Sequence, residues 1–398
     1  MSVWDSMIGQ PEAVRALRAA ALDGRRIAAS SFAKNSGEAE ERQGALSHAW
    51  LITGPPGSGR SLAAKCLAAA LQCTGEEIGC GECSGCHTTM AGTNPDVDDI
   101  STDLVQFTID DVKTWVERAY TAPSQGRWRV MLVEDADRMV ERTSNVLLKS
   151  IEEPAERTVW ILCAPTTEEV IATIRSRSRS LVLRTPSAQD VAEYLAKEES
   201  VSEERALEAA KLAQSHVGVA RAMLRHPELR ENRRRLMEMC LAPTSVGEAV
   251  LAAGRLVSAA GDQAKERTDA RNESEREALF RSLGIDNPKR IPPAHRTQVR
   301  QMEEDQKRRA KRGLTDTLDL TLVDLLGFYR DVLTVQLGAN SDLVHVDMSQ
   351  QVGEMAESST VESTLRKTAA VEEARERLKT NAAPLVVLEA MNVKLLAG

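Results

Sequence analysis

The chain has 398 residues, of which 42% are hydrophobic, 28% charged and only 3% aromatic, with a formal net charge of -8 at pH 7. That is enough chain for two or three domains with sizeable cores, and the abundance of Ala, Leu, Glu and Arg points to a helix-rich architecture. The acidic balance argues against strong DNA binding by the chain alone, because phosphate affinity needs concentrated Lys and Arg. No apolar run approaches the ~18–20 residues of a membrane span. The opening Met1-Ser2-Val3-Trp4-Asp5 lacks the basic and apolar regions of a signal peptide. A cytoplasmic location is therefore expected, in which the seven cysteines stay unpaired. In chain order, Trp4 to Ala21 reads as an amphipathic helix: Pro11 suits its first turn, and Val14, Leu17 and Ala21 fall on one stripe. Arg25 to Gln43 is polar and reads as a surface loop or an extension of that helix.

The stretch Ala49 to Leu62 is the centre around which the N-terminal half is organised. Trp50, Leu51 and Ile52 read as a buried strand, Gly54-Pro55-Pro56-Gly57-Ser58-Gly59-Arg60-Ser61 as a glycine-rich turn, and Ser61 to Leu71 as a helix. Strand, glycine loop and helix in this order form the phosphate cradle G-x-x-x-x-G-K-[ST]. Gly54, Gly57 and Gly59 let the backbone curl its N–H groups around a phosphate at a helix N-terminus. Arg60 stands at the lysine position, keeping the charge but replacing a compact ammonium with a planar fork. Cys73, Cys80, Cys83 and Cys86 come after the helix, spaced C-x6-C-x2-C-x2-C among glycines. Four thiolates match a closed, structural zinc site, with a redox dithiol, an iron–sulfur cluster or a bare loop as the alternatives. His87 reads as a bystander, and Cys66, Cys163 and Cys240 as small buried hydrophobes.

Asp103 to Ile109 alternates weakly as a strand, and Asp110 to Tyr120 reads as a helix with acids in its first turn. Arg129 to Val133 is a second buried strand, ending at once in Glu134-Asp135. A strand closing on two acids downstream of a glycine cradle has the Walker B layout, in which the first acid serves Mg²⁺ and the second the attacking water. The order here is reversed from Asp-Glu, displacing each carboxylate by one methylene. Attack geometry is sensitive to about 1 Å. Next come Asn145-Val146-Leu147-Leu148-Lys149-Ser150-Ile151-Glu152-Glu153-Pro154, an apolar strand Val159 to Cys163, and Thr173-Ile174-Arg175-Ser176-Arg177-Ser178.

Ser187 to Lys197 begins a helical segment that Val201 to Leu224 continues. Val246 to Glu277 is helix-compatible, Asn287 to Pro293 breaks it, and Gln298 to Arg312 is a charged run expected on a protruding, solvated helix. Leu314, Leu318, Leu322, Leu325, Tyr329 and Val332 form one apolar helical face, and Val361 to Lys379 and Ala383 to Leu396 are two further helices.

The N-x-L-L-K-x-x-E-E-P stretch, the Ser176-Arg177-Ser178 turn, the cysteines behind the P-loop helix and Ile8-Gly9-Gln10 resemble the AAA+ subunits of bacterial clamp loaders over roughly residues 3 to 225. Motor subunits of that family, gamma/tau, carry a P-loop lysine, Asp-Glu in Walker B and a polar residue after the next strand. Arg60, Glu134-Asp135 and Ala164-Pro165 depart from all three, while Arg177 of the arginine-finger motif is kept and Ser178 replaces the usual Cys. That combination resembles the delta-prime branch of the DNA polymerase III holoenzyme. The resemblance implies a parallel α/β AAA+ P-loop domain over 1–184 with a zinc module at about 73–90, a helical lid over 185–240 and an all-α collar over 241–398. It implies a subunit that helps load the sliding clamp onto primed DNA beside gamma/tau and delta subunits, with Arg177 entering a neighbour's ATP site; the alternative is an Arg177 that only caps the preceding helix or pairs with a nearby acid. Gly54 to Ser61, Glu134, Asp135 and Arg221 would form a degenerate ATP/Mg²⁺ site. Arg221 is either a phosphate sensor or a solvated helix-face arginine. Structural Zn²⁺ at Cys73, Cys80, Cys83 and Cys86 completes the expectation, with ATP hydrolysis by this chain absent or very weak. The alternatives are an ATP-hydrolysing gamma/tau-like motor and a free zinc-containing nucleic-acid binder.

Overall fold

A computed structural model describes residues 2–31, 44–101, 106–283, 292, 295–380 and 382–397. The strands are β1 (Ala49–Thr53), β2 (Val97–Ile100), β3 (Arg129–Val133), β4 (Thr158–Ala164) and β5 (Arg179–Val182). They form one all-parallel sheet in the order β2-β3-β4-β1-β5. β1, β3 and β4 are buried along their whole length, which is why they read as unbroken apolar runs. Alternate residues serve opposite faces: Trp50, Ile52, Val130, Leu132 and Ile161 join one core cluster, and Leu51, Met131, Val133, Trp160 and Leu162 the other.

Helices α1 (Pro11–Ser31) and α2 (Arg60–Gln72) pack on the first face. α2 buries Ala63, Ala64, Ala68, Ala69 and Ala70, small side chains that let its backbone approach the strands closely. α3 (Ser84–Met90) follows the cysteine loop, and α4 (Ile109–Ala119) and α5 (Glu141–Glu152) cover the second face. α4 starts at a capping box in which Thr108 and Asp111 each accept from the other's backbone. The short α6 (Ala172–Arg175) leads into β5; α7 (Ala188–Glu198), α8 (Glu203–Leu212) and α9 (Val217–Arg225) come next. α8 and α9 are separate helices because Gln214 and Ser215 take positive φ between them.

One expected strand is misplaced. Asp103 to Ile109 is not a strand where it is described: Phe107 lies in a loop and Thr108 caps α4, while residues 102–105 lie outside the described residues. The edge strand is Val97–Ile100, hidden in the sequence because two of its four residues are Asp98 and Asp99. Both acids are paired from other elements: Asp98 lies 3.6 Å from Arg129 and also meets Arg118, and Asp99 is 2.8 Å from Lys65. The helix expected from Trp4 starts at Pro11, after a short 3-10 turn over Val3–Ser6, and runs on to Ser31; residues 32–43 lie outside the described residues.

The chain divides into two compact units, Met1–Arg221 and Ala222–Gly398. The second is helical: α10 (Pro227–Leu241), α11 (Val246–Ser282), α12 (Arg296–Gln336), α13 (Ser349–Ser358), α14 (Val361–Lys379) and α15 (Pro384–Ala397). The charged run at 298–312 and the apolar face from Leu314 belong to one helix, α12, of 41 residues. Its buried Leu318, Leu322, Leu325, Tyr329 and Val332 pack with α11, α14 and α15 side chains in a single core. Inside that unit Arg233 Nε donates to Asp324 at 2.7 Å, pairing a carboxylate that is 2% exposed. Most of the expected break at 287–293 lies outside the described residues. Among the described residues no helix is long and apolar enough to cross a membrane.

Candidate functional site

The glycine turn between β1 and α2 forms one wall of a cleft of about 570 Å³ in the first unit. Pro56, Gly57, Ser58, Gly59, Arg60 and Ser61 line it, with Ser6, Ile8, Gln10, Tyr194, His216 and Arg221 opposite. Gly57 and Gly59 have φ of 85° and 88°, a region that disfavours side chains. A Cβ on Gly57 would also stand 3.0 Å from the His216 backbone. Gly54 and Pro55 enter the turn without lining the cleft; a Cβ on Gly54 would lie 2.5 Å from Ser58 Oγ. The Ile8-Gly9-Gln10 segment is tied to the loop through Gln10. Gln10 Nε2 donates to Ser58 O at 3.4 Å and also to Arg184 O.

Two buried polar atoms at the cradle, Arg60 Nη1 and Ser58 Oγ, have no hydrogen-bond partner among the described residues. Orphaned donors beside a glycine cradle at a helix N-terminus fit an anion such as a nucleotide phosphate. Arg221 reaches the same cleft from α9. Its Nη2 donates to Tyr194 OH at 3.2 Å and its Nε lies 3.2 Å from Glu199 Oε1, so it is held by its own domain.

Glu134 and Asp135 come directly after β3 and do not line the cleft. Glu134 Oε1 lies 3.4 Å from Lys65 Nζ, and the same ammonium lies 2.8 Å from Asp99 Oδ2. Asp135 Oδ2 lies 3.7 Å from Arg138 Nε. Burial alone would lower the Lys65 ammonium, but its hydrogen bond and attraction to Asp99, with Glu134 adding, raise it above the ordinary lysine value. Burial, and then the charge of Asp99, raises Glu134 against the pull of Lys65. Asp99 is thus the ammonium's lead partner and Glu134 the looser one. Sequence reasoning missed Lys65 and Asp99. The available signal was that Lys65 stands four residues after Ser61, on the same helical face one turn deeper.

Cys73, Cys80, Cys83 and Cys86 converge, their Sγ atoms all within 4.8 Å of one another, a group that could hold a metal ion. The Cys73 sulfur is 3.7 Å from Cys80 and 3.9 Å from Cys83. Tetrahedral zinc with Zn–S near 2.3 Å spaces its sulfurs by about 3.8 Å. Backbone N–H groups point at the sulfurs, from Thr74 and Cys86 to Cys83 and from Cys83 to Cys80. Burial would raise the Cys83 thiol, yet these N–H groups of Cys86 and Thr74 bring it down to about 5, the thiolate side. Gly79 and Gly81 make the turns at positive φ. The N-terminal turn is fastened to the module: Trp4 Nε1 donates to Ile78 O at 2.9 Å and Val3 N to Gly79 O at 3.0 Å. His87 is exposed and outside the sulfur group.

Arg177 sits after α6, 40% exposed, and does not line the P-loop cleft. Its Nε lies 2.7 Å from Glu152 Oε1.

A parallel five-stranded P-loop domain, carrying a four-cysteine module and followed by a mostly helical C-terminal part, is what these elements define. A protein-family model described as DNA polymerase III, delta subunit, matches residues 31–187. DNA polymerase III subunit delta' of Escherichia coli is 32% identical over 180 residues, 44% of this chain and 54% of that protein. The Pseudomonas aeruginosa delta' subunit is 33% identical over 154 residues, covering 38% and 47%. DNA polymerase III subunit gamma/tau of Mycobacterium tuberculosis is 33% identical over 144 residues, 35% of this chain and 25% of that one. Over this N-terminal part the chain is similar to bacterial DNA polymerase III subunits of both the delta' and the gamma/tau kind. It spans about half or less of the length of these relatives, and both delta' and gamma/tau are among them.

Proposed function

We propose that the chain is the delta-prime-like subunit of a replicative clamp loader, working in the cytoplasm in a hetero-oligomer with gamma/tau and delta subunits. In this reading it helps place the sliding clamp on primed DNA and supplies Arg177 to a neighbour's ATP site, while its own nucleotide site hydrolyses ATP weakly or not at all. The helices after the lid serve as the oligomerising collar, and the four cysteines hold a structural zinc ion.

One observation carries the reading: Arg177 is exposed and stands apart from the residues lining the chain's own cleft. An arginine so placed reaches another subunit by exchanging its surface pair with Glu152, and there a permanently charged guanidinium stabilises charge building on a transferred phosphoryl group. Such fingers contribute on the order of 10³–10⁵ in rate in other phosphoryl-transfer systems; a ring with several fingers should lose a smaller fraction when one is removed. The reversed Glu134-Asp135 order, Arg60 at the lysine position and apolar Ala164-Pro165 support a site that has relaxed its own hydrolytic chemistry.

The test is reconstitution with candidate gamma/tau and delta subunits. Native mass should reveal a stable hetero-oligomer, and Arg177→Ala should assemble normally yet lower the DNA- and clamp-stimulated ATPase sharply. A mutant complex that hydrolyses ATP at the wild-type rate would remove the finger role. The gamma/tau-like motor is the second reading, favoured by the 33% identity to the Mycobacterium tuberculosis gamma/tau subunit. It predicts appreciable ATP turnover by the purified chain.

A further inference from the structure

The fold family implies Mg²⁺ between the P-loop hydroxyl and the first Walker B acid, and the residues at that place do not fit it. Lys65 reaches from α2 to Asp99 Oδ2 at 2.8 Å and to Glu134 Oε1 at 3.4 Å, and all three side chains are between 24% and 31% exposed. The second acid, Asp135, faces Arg138 at 3.7 Å. Asp99, Glu134 and Asp135 thus already face protein cations. Magnesium demands oxygen ligands in near-ideal octahedral geometry. A divalent ion brought to the Glu134 carboxylate would meet an ammonium within hydrogen-bonding reach of the same oxygen, in a site partly shielded from water where like-charge repulsion is strong.

The position follows from helix geometry. Ser61, the P-loop hydroxyl, and Lys65 are four residues apart on α2, so they share a face and the ammonium lies one turn below the hydroxyl. β2 brings Asp99 and β3 brings Glu134 to neighbouring strand ends, Ile100 pairing with Val133 in register.

From this geometry we infer that Lys65 is a built-in cation standing in the place of the divalent metal, so that the P-loop cleft takes nucleotide phosphate without Mg²⁺. The phosphate is held by the loop N–H groups and by Arg60, whose buried Nη1 has no hydrogen-bond partner among the described residues. A permanently charged guanidinium suits this role, since the metal-free polyphosphate carries more negative charge than its magnesium complex. The inference rests on the cleft being a nucleotide site, and the experiment separates the two.

A fluorescent ATP analogue is titrated into the full chain by polarisation, once with Mg²⁺ and once with EDTA. Wild type should bind with affinities within about twofold of each other, and Lys65→Met should become dependent on metal by about tenfold or more. A wild-type affinity that falls about tenfold in EDTA overturns the inference. Mn²⁺ titration followed by electron paramagnetic resonance, without nucleotide, gives the independent arm. Lys65→Met should bind Mn²⁺ at the vacated Asp99–Glu134 pair while wild type does not; equal binding by the two overturns the inference even where no nucleotide binds. Analogue binding in neither buffer, with the Mn²⁺ difference intact, removes the nucleotide reading and leaves the displaced metal standing. Asp99→Asn guards against a merely unfolded variant: it keeps Lys65 opposite Glu134 and should stay insensitive to metal, and a gain of Mn²⁺ binding there counts against Lys65.

Discussion

Arg177 Nε lies 2.7 Å from Glu152 Oε1, which ties the arginine of the Ser176–Ser178 turn to the first acid of Glu152-Glu153-Pro154. Arg177 Nη1 also donates to Thr173 O at 3.0 Å and Ser176 Oγ at 3.2 Å. Both partners of the ion pair are about two-fifths exposed, 40% and 43%. Solvent screens such a pair, and it contributes about 0–1 kcal/mol to folding. A pair worth so little holds the fold together only weakly.

Arg177→Ala and Glu152→Gln should therefore both leave the melting temperature of the isolated chain almost unchanged. In the reconstituted complex Arg177→Ala, and nearly as fully Arg177→Lys, should depress stimulated ATPase, with Glu152→Gln falling between them and wild type. A large loss of thermal stability with undiminished complex activity would make the pair structural.

Arg60→Lys on its own should not confer ATP turnover on the chain. It restores the P-loop lysine but leaves Glu134 opposite Lys65 and the Walker B order reversed. Steady-state phosphate release by the purified chain measures this, and a strong gain from the single change would show the Walker B argument to be wrong.

Metal-replete chain should carry one tightly bound zinc ion, read by elemental analysis. Cys83→Ser should lower that content and loosen the module, because ligation and local folding are coupled. Trp4 donates into the module at Ile78 O, so stripping the metal with a chelator should also shift tryptophan emission. Metal-replete protein without zinc, or with disulfides under reducing conditions, would end the idea.

Asp96 gives the first unit an acid-sensitive point. The side chain is fully buried and accepts from the backbone N–H groups of Ser124, Gln125 and Gly126 at 2.6, 2.7 and 2.5 Å. Burial would raise its carboxyl, but the N–H groups of Ser124, Gly126 and Gln125 outweigh that and hold it below the ordinary aspartate value. A folded-state value below the unfolded one near 3.9 means that this stabilisation is complete above the unfolded value and is lost as pH falls through the folded one. Thermal melts from pH 6 down to about pH 2 should fall more shallowly for Asp96→Asn than for wild type, from a lower neutral plateau. Parallel curves would exclude the residue.

The strands β1, β3 and β4, the glycine cradle, the cysteine spacing and the apolar stripe of α12 were legible in the sequence. Each is a local pattern whose meaning comes from its own spacing: unbroken apolar runs for strands buried on both faces, positive φ at glycines, and a repeat of three and four residues for a helix face. Tertiary structure alone decided what the charges do. β2 was illegible because Asp98 and Asp99 look wrong for a strand until Arg129, Arg118 and Lys65 arrive from elsewhere in the chain to pair them. The Walker B acid looked free to serve a metal until α2 laid Lys65 against it. A side chain's apolar character is written in its own residue type, whereas a carboxylate's role depends on which cation the fold sets a few ångströms away.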